Sequence, residues 1–134
     1  MSQPVTVTEQ AEQKYTNDIT NGRHHMIADE PEDLGGADLG PTPFEYLCAA
    51  LGSCTTITMR MYVDRKGWPV DQLSAEVSHS KKDVSGEMTD VFERHLTITG
   101  DISEEQRQRI LAIANKCPVH RTLETSSHVV TDLR

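Results

Sequence analysis

The sequence has few aromatic residues and no long hydrophobic run. Phe, Trp and Tyr make up 4% of its 134 residues, and all hydrophobic residues together make up 36%. A chain of this size with so few large apolar side chains has a thin core, which favours burial against a partner subunit. No segment approaches the ~18 consecutive apolar residues of a membrane span, and the amino terminus lacks signal-peptide features. We expect a single cytoplasmic domain over residues 1–134, with no membrane partner.

Positive charge and cysteine are scarce as well. The 13 Lys and Arg residues are outnumbered by 21 Asp and Glu residues, so the formal net charge is -8. This charge repels phosphate backbones and argues against a nucleic-acid partner. The three cysteines are an odd number and lack the close spacing of a disulfide-rich secreted module. Any thiol chemistry is therefore expected to be catalytic or sensory.

Short alternating segments predict β-strands at both ends of the chain. Alternation or turn residues favour strands over residues 5–8, 14–20 and 23–29, and a loop rich in Gly, Pro and acidic residues follows over 30–43. Residues 73–77 and 92–98 alternate as half-buried strands of a hairpin with a long turn at 85–87, and residues 128–133 fit a closing strand.

Two capping motifs predict the starts of the helices. Thr42, Pro43 and Glu45 form a capping box with proline at the first helical position, and this helix should end near Lys66, before Gly67. Its apolar face is predicted from residues at helical spacing, namely Leu47, Ala50, Leu51, Cys54, Thr58 and Met61. A second box at 103–106 opens a helix that should reach Cys117, and residues 119–124 fit one further turn. The fold class is therefore expected to be α+β.

Cys54 and Cys117 are the candidate functional thiols, because both are predicted on buried helix faces where their sulfurs could meet. Free cysteine is also a common buried residue, so simple packing is the competing interpretation. If the sulfurs meet, a thiolate can attack a peroxide, become a sulfenic acid and close a disulfide with the second thiol. Cys48 is six positions from Cys54 and lies elsewhere around the helix, so packing is its expected role.

Several segments of the chain resemble the OsmC/Ohr family. Residues 40–54 and 58–62 resemble the family's nucleophile helix, and Cys117-Pro118-Val119-His120-Arg121 begins a segment, through Leu123, that resembles its second-cysteine motif. Residues 22–24 and 28–31 are similar to its amino-terminal section. The resemblance covers nearly the whole chain, and the two cysteine motifs occur in the expected order.

This resemblance implies an antioxidant peroxidase that reduces organic hydroperoxides. It implies antiparallel sheets wrapped around central helices in an intertwined homodimer. By the resemblance, Cys54 is the peroxidatic cysteine, Cys117 is the resolving cysteine, and an external thiol or dithiol reopens the disulfide. Arg23 is the candidate for an arginine that stabilises the thiolate, and it is equally compatible with a solvated strand position. No metal, flavin or haem is implied.

The start of the first helix departs from the best-known branch of the family. That branch has an arginine-orienting glutamate at the position of Phe44, whereas Glu45 falls on the opposite side of a regular helix and is expected to cap it. Phe44 and Glu45 match a less characterised OsmC-like branch. Leu47, Leu51 and Met61, together with Phe44, favour a substrate with an apolar tail. The alternative is a non-catalytic stress protein that binds a lipid-like ligand.

Other chemistries have weaker motifs. Cys117 and His120 have C-x-x-H spacing, but no second ligand pair accompanies them, so a zinc site is not expected. His24, a secondary site candidate, or His120 could pair with Cys54 in a hydrolase, but no oxyanion hole is indicated. The glycines of the 30–43 loop precede a helix, but acidic residues surround them and no phosphate-loop motif is present.

Overall fold

The computed structural model describes residues 2–134, which fall into two compact units that divide between Leu47 and Cys48. Antiparallel sheets and three α-helices give an α+β fold, as predicted. Along the chain the elements are β1 Thr6–Glu9, β2 Asn17–Thr20, β3 His25–Ala28, a 3-10 turn Glu32–Leu34, α1 Pro43–Lys66, β4 Val70–Val84, β5 Glu87–Gly100, α2 Glu104–Ala114 and α3 Pro118–Glu124. Within the described residues, no helix is both long and apolar enough to cross a membrane. The expectation of a single domain stays a prediction.

The first unit contains a three-stranded antiparallel sheet in the order β1-β2-β3. Ile19 of β2 is buried and pairs with Val7 on one side and Met26 on the other. Both strands begin later than predicted, β2 at Asn17 and β3 at His25, whereas β2 ends at Thr20 as predicted. The side-chain oxygen of Asn21 accepts hydrogen bonds from the backbone N–H groups of Arg23 and His24. This Asx turn delays the start of β3.

A buried carboxylate fixes the loop that leads into α1. Asp29 accepts hydrogen bonds from Thr16 Oγ1 at 2.7 Å and from the backbone N–H of Leu39 at 3.2 Å. The predicted capping box follows, since Thr42 Oγ1 accepts from Glu45 N–H at 3.2 Å and Glu45 Oε1 accepts from Thr42 N–H at 2.9 Å. These hydrogen bonds satisfy two of the unpaired donors at the helix start and fix where α1 begins.

The second unit is built on α1 and a long β4–β5 hairpin. Gly67, at φ 69°, ends α1 at the predicted point. The hairpin strands are much longer than the predicted 73–77 and 92–98, and they join through Ser85 and Gly86, which have φ 54° and 88°. Two consecutive positive φ angles are typical of a tight two-residue hairpin turn, which replaces the long turn expected there. The polar outer halves of these strands do not alternate, so periodicity could not mark them.

The core of the second unit lies between α1, the base of the hairpin and α2. Ser103 caps α2 in the predicted reciprocal box with Gln106. The buried core residues are Met59, Tyr62, Val63, Val70, Ile110 and Ala114. Half-buried Trp68, Leu73, Leu96 and Ile98 pack against them, which places β5 beside α1 and α2.

Three local predictions were wrong. The buried stripe of α1 contains Leu51, Thr55, Met59 and Val63, whereas Met61 is 67% exposed, so the buried face is rotated from the predicted one. α2 ends at Ala114 rather than at Cys117, because Pro118 supplies no N–H to continue a helix and instead opens α3. Residues 126–134 form no strand and are exposed, although 119–124 are helical as expected.

Candidate active site

Two free cysteines from separate segments meet in the second unit. Cys54 lies half-buried in the middle of α1, and Cys117 is fully buried just before α3. The two thiols lie close enough for each to shift the pKa of the other. Oxidation of one sulfur would therefore occur beside the other.

Cys117 is held at the start of α3 as its N-cap residue. Its backbone is extended, with φ -63° and ψ 136°, and Pro118 occupies the first helical turn. The Cys117 sulfur accepts a hydrogen bond from the backbone N–H of His120 at 3.3 Å. Thr55 Oγ1, on the turn of α1 that carries Cys54, lies 3.9 Å from the same sulfur. The N-cap position thus fixes the direction in which this thiol points.

Arg94 of β5 binds the groups around Cys117 with both ends of its guanidinium. Nη1 donates to Thr55 Oγ1 at 3.0 Å, and Nη2 donates to Asn115 Oδ1 at 2.9 Å and to His120 Nδ1 at 3.1 Å. None of the ion pairs within residues 2–134 includes Arg94. A guanidinium is always charged in proteins, so this side chain brings a positive charge to the groups that surround Cys117.

The contacts of His120 define its tautomer. Arginine can only donate hydrogen bonds, so Nδ1 of His120, which faces Arg94, carries no proton. The ring proton is therefore on Nε2, which donates to Glu124 Oε1 at 2.6 Å. Glu124 and His120 are one helical turn apart on α3. The carboxylate thus orients the imidazole, and the imidazole in turn orients Arg94.

The two thiols differ in acidity. Burial raises the pKa of Cys54 above its ordinary value, and the adjacent Cys117 sulfur raises it further. Burial acts in the same direction on Cys117, but the hydrogen bonds from the His120 backbone and from the Cys54 thiol outweigh it and lower the pKa of Cys117. In the reduced pair, negative charge is thus favoured on Cys117 and the proton on Cys54.

A cavity of about 420 Å³ lies beside Arg94 and His120. Its volume is within the range of small-ligand sites. The apolar side chains that line it are Leu51, Val91, Phe92, Leu96, Leu111 and Leu123, and the polar ones are Asp90, Arg94, Asn115, His120 and Glu124. The cavity therefore places an apolar wall next to the groups that hold Cys117. Within residues 2–134, no group of three or more His, Cys, Asp or Glu side chains could hold a metal ion.

The other polar site candidates proposed from the sequence, Arg23, His24 and Glu45, lie in the first unit. Arg23 and His24 occupy the β2–β3 turn with exposed side chains. Glu45 caps α1, and hydrogen bonds from the Thr42 backbone and side chain lower its pKa. Phe44 is 49% exposed. Of the four apolar residues expected near the thiols, Leu51 alone is buried, whereas Phe44, Leu47 and Met61 remain partly exposed, with Leu47 at 40%.

Sequence analysis missed Arg94, Thr55 and Glu124. Arg94 occupies an inward-facing position in the alternating series Phe92, Arg94, Leu96, which is an unusual place for a charged side chain. A charged residue at an inward-facing strand position was the signal that could have identified Arg94. Thr55 carried no such signal, because a single threonine on a helix adjacent to cysteine is compatible with many roles.

Comparisons with known proteins agree with this architecture. Residues 35–132 match the family model described as OsmC-like protein. An OsmC-like protein from Mycoplasma pneumoniae has a similar structure, with a TM-score of 0.75, 19% identity and coverage of 92% of this chain and 88% of that one. No functionally curated protein sequence matches the chain significantly.

Two solved structures of organic hydroperoxide resistance proteins are also similar. An organic hydroperoxide resistance protein from Elizabethkingia anophelis has a TM-score of 0.67 and 19% identity, covering 88% of this chain and 84% of that one. The organic hydroperoxide resistance protein OhrB of Bacillus subtilis has a TM-score of 0.64 and 17% identity, covering 91% and 90%. At these identities, the likeness shows a shared fold.

Proposed function

Because the chain belongs to the OsmC-like protein family, we propose that it is a thiol-dependent peroxidase that reduces organic hydroperoxides at Cys54. The observation that carries this proposal is the meeting of two free thiols from α1 and from the α3 N-cap. The organic hydroperoxide resistance proteins with the same fold support it. The cavity beside Arg94 offers apolar walls to an organic substrate.

The reaction begins at Cys54, since Cys117 is fully buried and Cys54 is only half-buried. Cys54 first loses its proton, and its thiolate attacks the outer oxygen of the hydroperoxide. The O–O bond then breaks, and the organic part leaves as an alcohol after taking a proton. Cys54 is then a sulfenic acid. The Cys117 thiolate attacks its sulfur and displaces hydroxide, which becomes water, so a Cys54–Cys117 disulfide forms.

An external thiol or dithiol completes the cycle by reducing the disulfide with two electrons. Its attack on one sulfur of the pair forms a mixed disulfide, and a second thiol releases the reduced protein. We place this cycle in the cytoplasm, where thiols are kept reduced. Arg23 stays the candidate that the resemblance gives for a cation that stabilises the reacting thiolate.

We also propose that the working form is a homodimer. β4 and β5 form a two-stranded sheet of 15- and 14-residue strands, and the outer ends of both strands are exposed. Ile57 and Met61, one turn apart on α1, are 54% and 67% exposed. A second copy that covers these surfaces would supply the burial that the small core lacks.

The decisive measurement is dithiol-dependent loss of cumene hydroperoxide. The wild-type protein should consume the hydroperoxide catalytically, and peptide mapping after peroxide treatment should recover a Cys54–Cys117 cross-link. Cys54→Ser should abolish turnover, whereas Cys48→Ser should retain it. Equal turnover by the wild type and Cys54→Ser would overturn the proposal.

The second candidate is a non-catalytic protein that binds a lipid-like ligand. The cavity, with six apolar side chains and a charged Arg94 at its wall, favours it. In that case, native mass spectrometry should find a stoichiometric lipid, and peroxide treatment should yield no trapped sulfenic acid at Cys54. A bound lipid together with turnover would instead indicate a substrate or product.

A further inference from the structure

The groups around Cys117 form one connected hydrogen-bond network that the resemblance does not describe. It runs from Glu124 to His120, from His120 to Arg94, and from Arg94 to Thr55, whose hydroxyl oxygen contacts the Cys117 sulfur. Asn115 Oδ1 accepts a further hydrogen bond from Arg94 Nη2, the nitrogen that also binds His120. Each contact involves residues of the second unit, so the network is complete within one chain.

Within residues 2–134, the hydrogen bonds of the Arg94 guanidinium go to Thr55, Asn115 and His120 and not to a sulfur, so its action is indirect. Its Nη1 fixes the hydroxyl of Thr55 on α1, and its Nη2 fixes the ring of His120 on α3. Thr55 is adjacent to Cys54 in the chain, and His120 donates its backbone N–H to Cys117. One planar guanidinium thus joins the two segments that carry the reacting sulfurs, with hydrogen bonds of fixed direction.

We propose that Arg94, oriented by His120 and Glu124, is a positioning residue that holds the Cys117 sulfur against Cys54 for the disulfide-forming step. The proposal rests on the proposed function, because it concerns the disulfide-forming step of that catalytic cycle. In that step the Cys117 thiolate attacks the sulfur of oxidised Cys54 and displaces its leaving group, so alignment of the two sulfurs sets the rate.

Formation of the Cys54–Cys117 disulfide, which we call closure, can also be measured without a peroxide. Oxidised glutathione converts Cys54 to a mixed disulfide, and attack by the Cys117 thiolate then forms the Cys54–Cys117 bond and releases glutathione thiolate. This second phase is unimolecular, so its rate does not depend on glutathione concentration. Acid quenching, alkylation and mass spectrometry resolve the mixed disulfide from the closed one.

Arg94→Met keeps the length of the aliphatic stem and removes the guanidinium. We expect closure to slow about tenfold, because small misplacements of reacting groups have effects of this order or larger. Arg60→Met is the matched control, since Arg60 lies on α1 and, among the described residues, bonds only to Asp64 and to the Val70 carbonyl. The proposal is overturned if the closure rate of Arg94→Met is within twofold of the closure rate of Arg60→Met while both variants keep the native circular dichroism spectrum.

Substitutions at His120 test the network with Arg94 in place. His120→Asn retains an acceptor near the position of Nδ1, whereas His120→Leu removes it. Closure should be several-fold faster in His120→Asn than in His120→Leu, and equal rates would contradict the proposal even if Arg94→Met failed to fold. A parallel experiment with cumene hydroperoxide tests the proposed function separately from the role of Arg94. Wild-type protein that forms the disulfide with oxidised glutathione but is not oxidised by cumene hydroperoxide would refute the proposed function alone.

Discussion

Thr55 Oγ1 lies 3.9 Å from the sulfur of Cys117, although the two residues come from α1 and from the segment before α3. Thr55 is fully buried, and its hydroxyl group also donates to the Leu51 carbonyl at 2.6 Å. The lone pairs of the hydroxyl oxygen remain available to Arg94, which donates to them. A buried hydroxyl thus links the thiol pair to the positive charge.

Thr55→Val should destabilise the protein by about 1–3 kcal/mol, because Arg94 Nη1 loses its acceptor in a part-buried site. Urea unfolding followed by circular dichroism measures this free energy. Thr56→Val is the matched control, since the Thr56 hydroxyl bonds only to the Ser53 carbonyl on the same helix. A loss in Thr55→Val no larger than in Thr56→Val would show that the hydroxyl does not support the network.

The regular elements of the fold were largely predictable, because local chemistry sets them. The capping boxes at Thr42 and Ser103 and the glycine after Lys66 mark helix ends through hydrogen bonds made within a few residues. The outer halves of β4 and β5 were missed because they are polar on both faces, so pairing across the hairpin, rather than a buried face, keeps them extended.

The candidate site was predictable only in part, because some of its residues are brought together by tertiary packing. The two cysteines stood out in motifs, but Arg94 is distant in the chain from both of them and belongs to a strand whose pattern indicated only burial. Its contacts with Thr55, Asn115 and His120 depend on how β5 packs against three other segments. Contacts of this kind produce no local periodicity in the sequence from which they could be predicted.

Ile57→Lys should weaken the proposed dimer. Ile57 is 54% exposed on α1. A lysine at that position would bury a charge in the proposed apolar interface between the two copies. Sedimentation equilibrium measures the dissociation constant, which should rise about tenfold or more. Leu133→Lys is a suitable control, because Leu133 is 98% exposed in the irregular tail. An unchanged constant in Ile57→Lys would place the interface elsewhere.

Cys117→Ser should convert a reversible oxidation into an irreversible one. Without the second thiol, the sulfenic acid at Cys54 persists and further peroxide oxidises it to sulfinic acid. Mass spectrometry after a peroxide series should show dimedone-trapped Cys54 at low peroxide and two added oxygens at higher peroxide. The wild type should show the disulfide instead. Equal resistance of the two proteins to over-oxidation would remove Cys117 from the resolving role.

The alkylation rate of Cys54 should depend on pH with its midpoint above the ordinary cysteine pKa of 9.0, because burial and the Cys117 sulfur raise the pKa of Cys54. Only the thiolate reacts, so a raised pKa lowers the reactive fraction at every pH below the midpoint, and the rate climbs as pH rises through it. Iodoacetamide labelling across this range, with Cys48 and Cys54 peptides quantified separately, gives the curve for each thiol.

Cys117→Ala separates the two causes of that shift. It removes the neighbouring sulfur, which raises the pKa of Cys54, and leaves most of the burial in place. The midpoint should therefore move to lower pH, and labelling of Cys54 near pH 8 should become several-fold faster, since a pKa lower by one unit raises a small thiolate fraction about tenfold. Cys48 labelling is the internal control and should not change. Slower labelling of Cys54 in Cys117→Ala would mean that Cys117 favours the Cys54 thiolate, and the order of acidity within the pair would then be reversed.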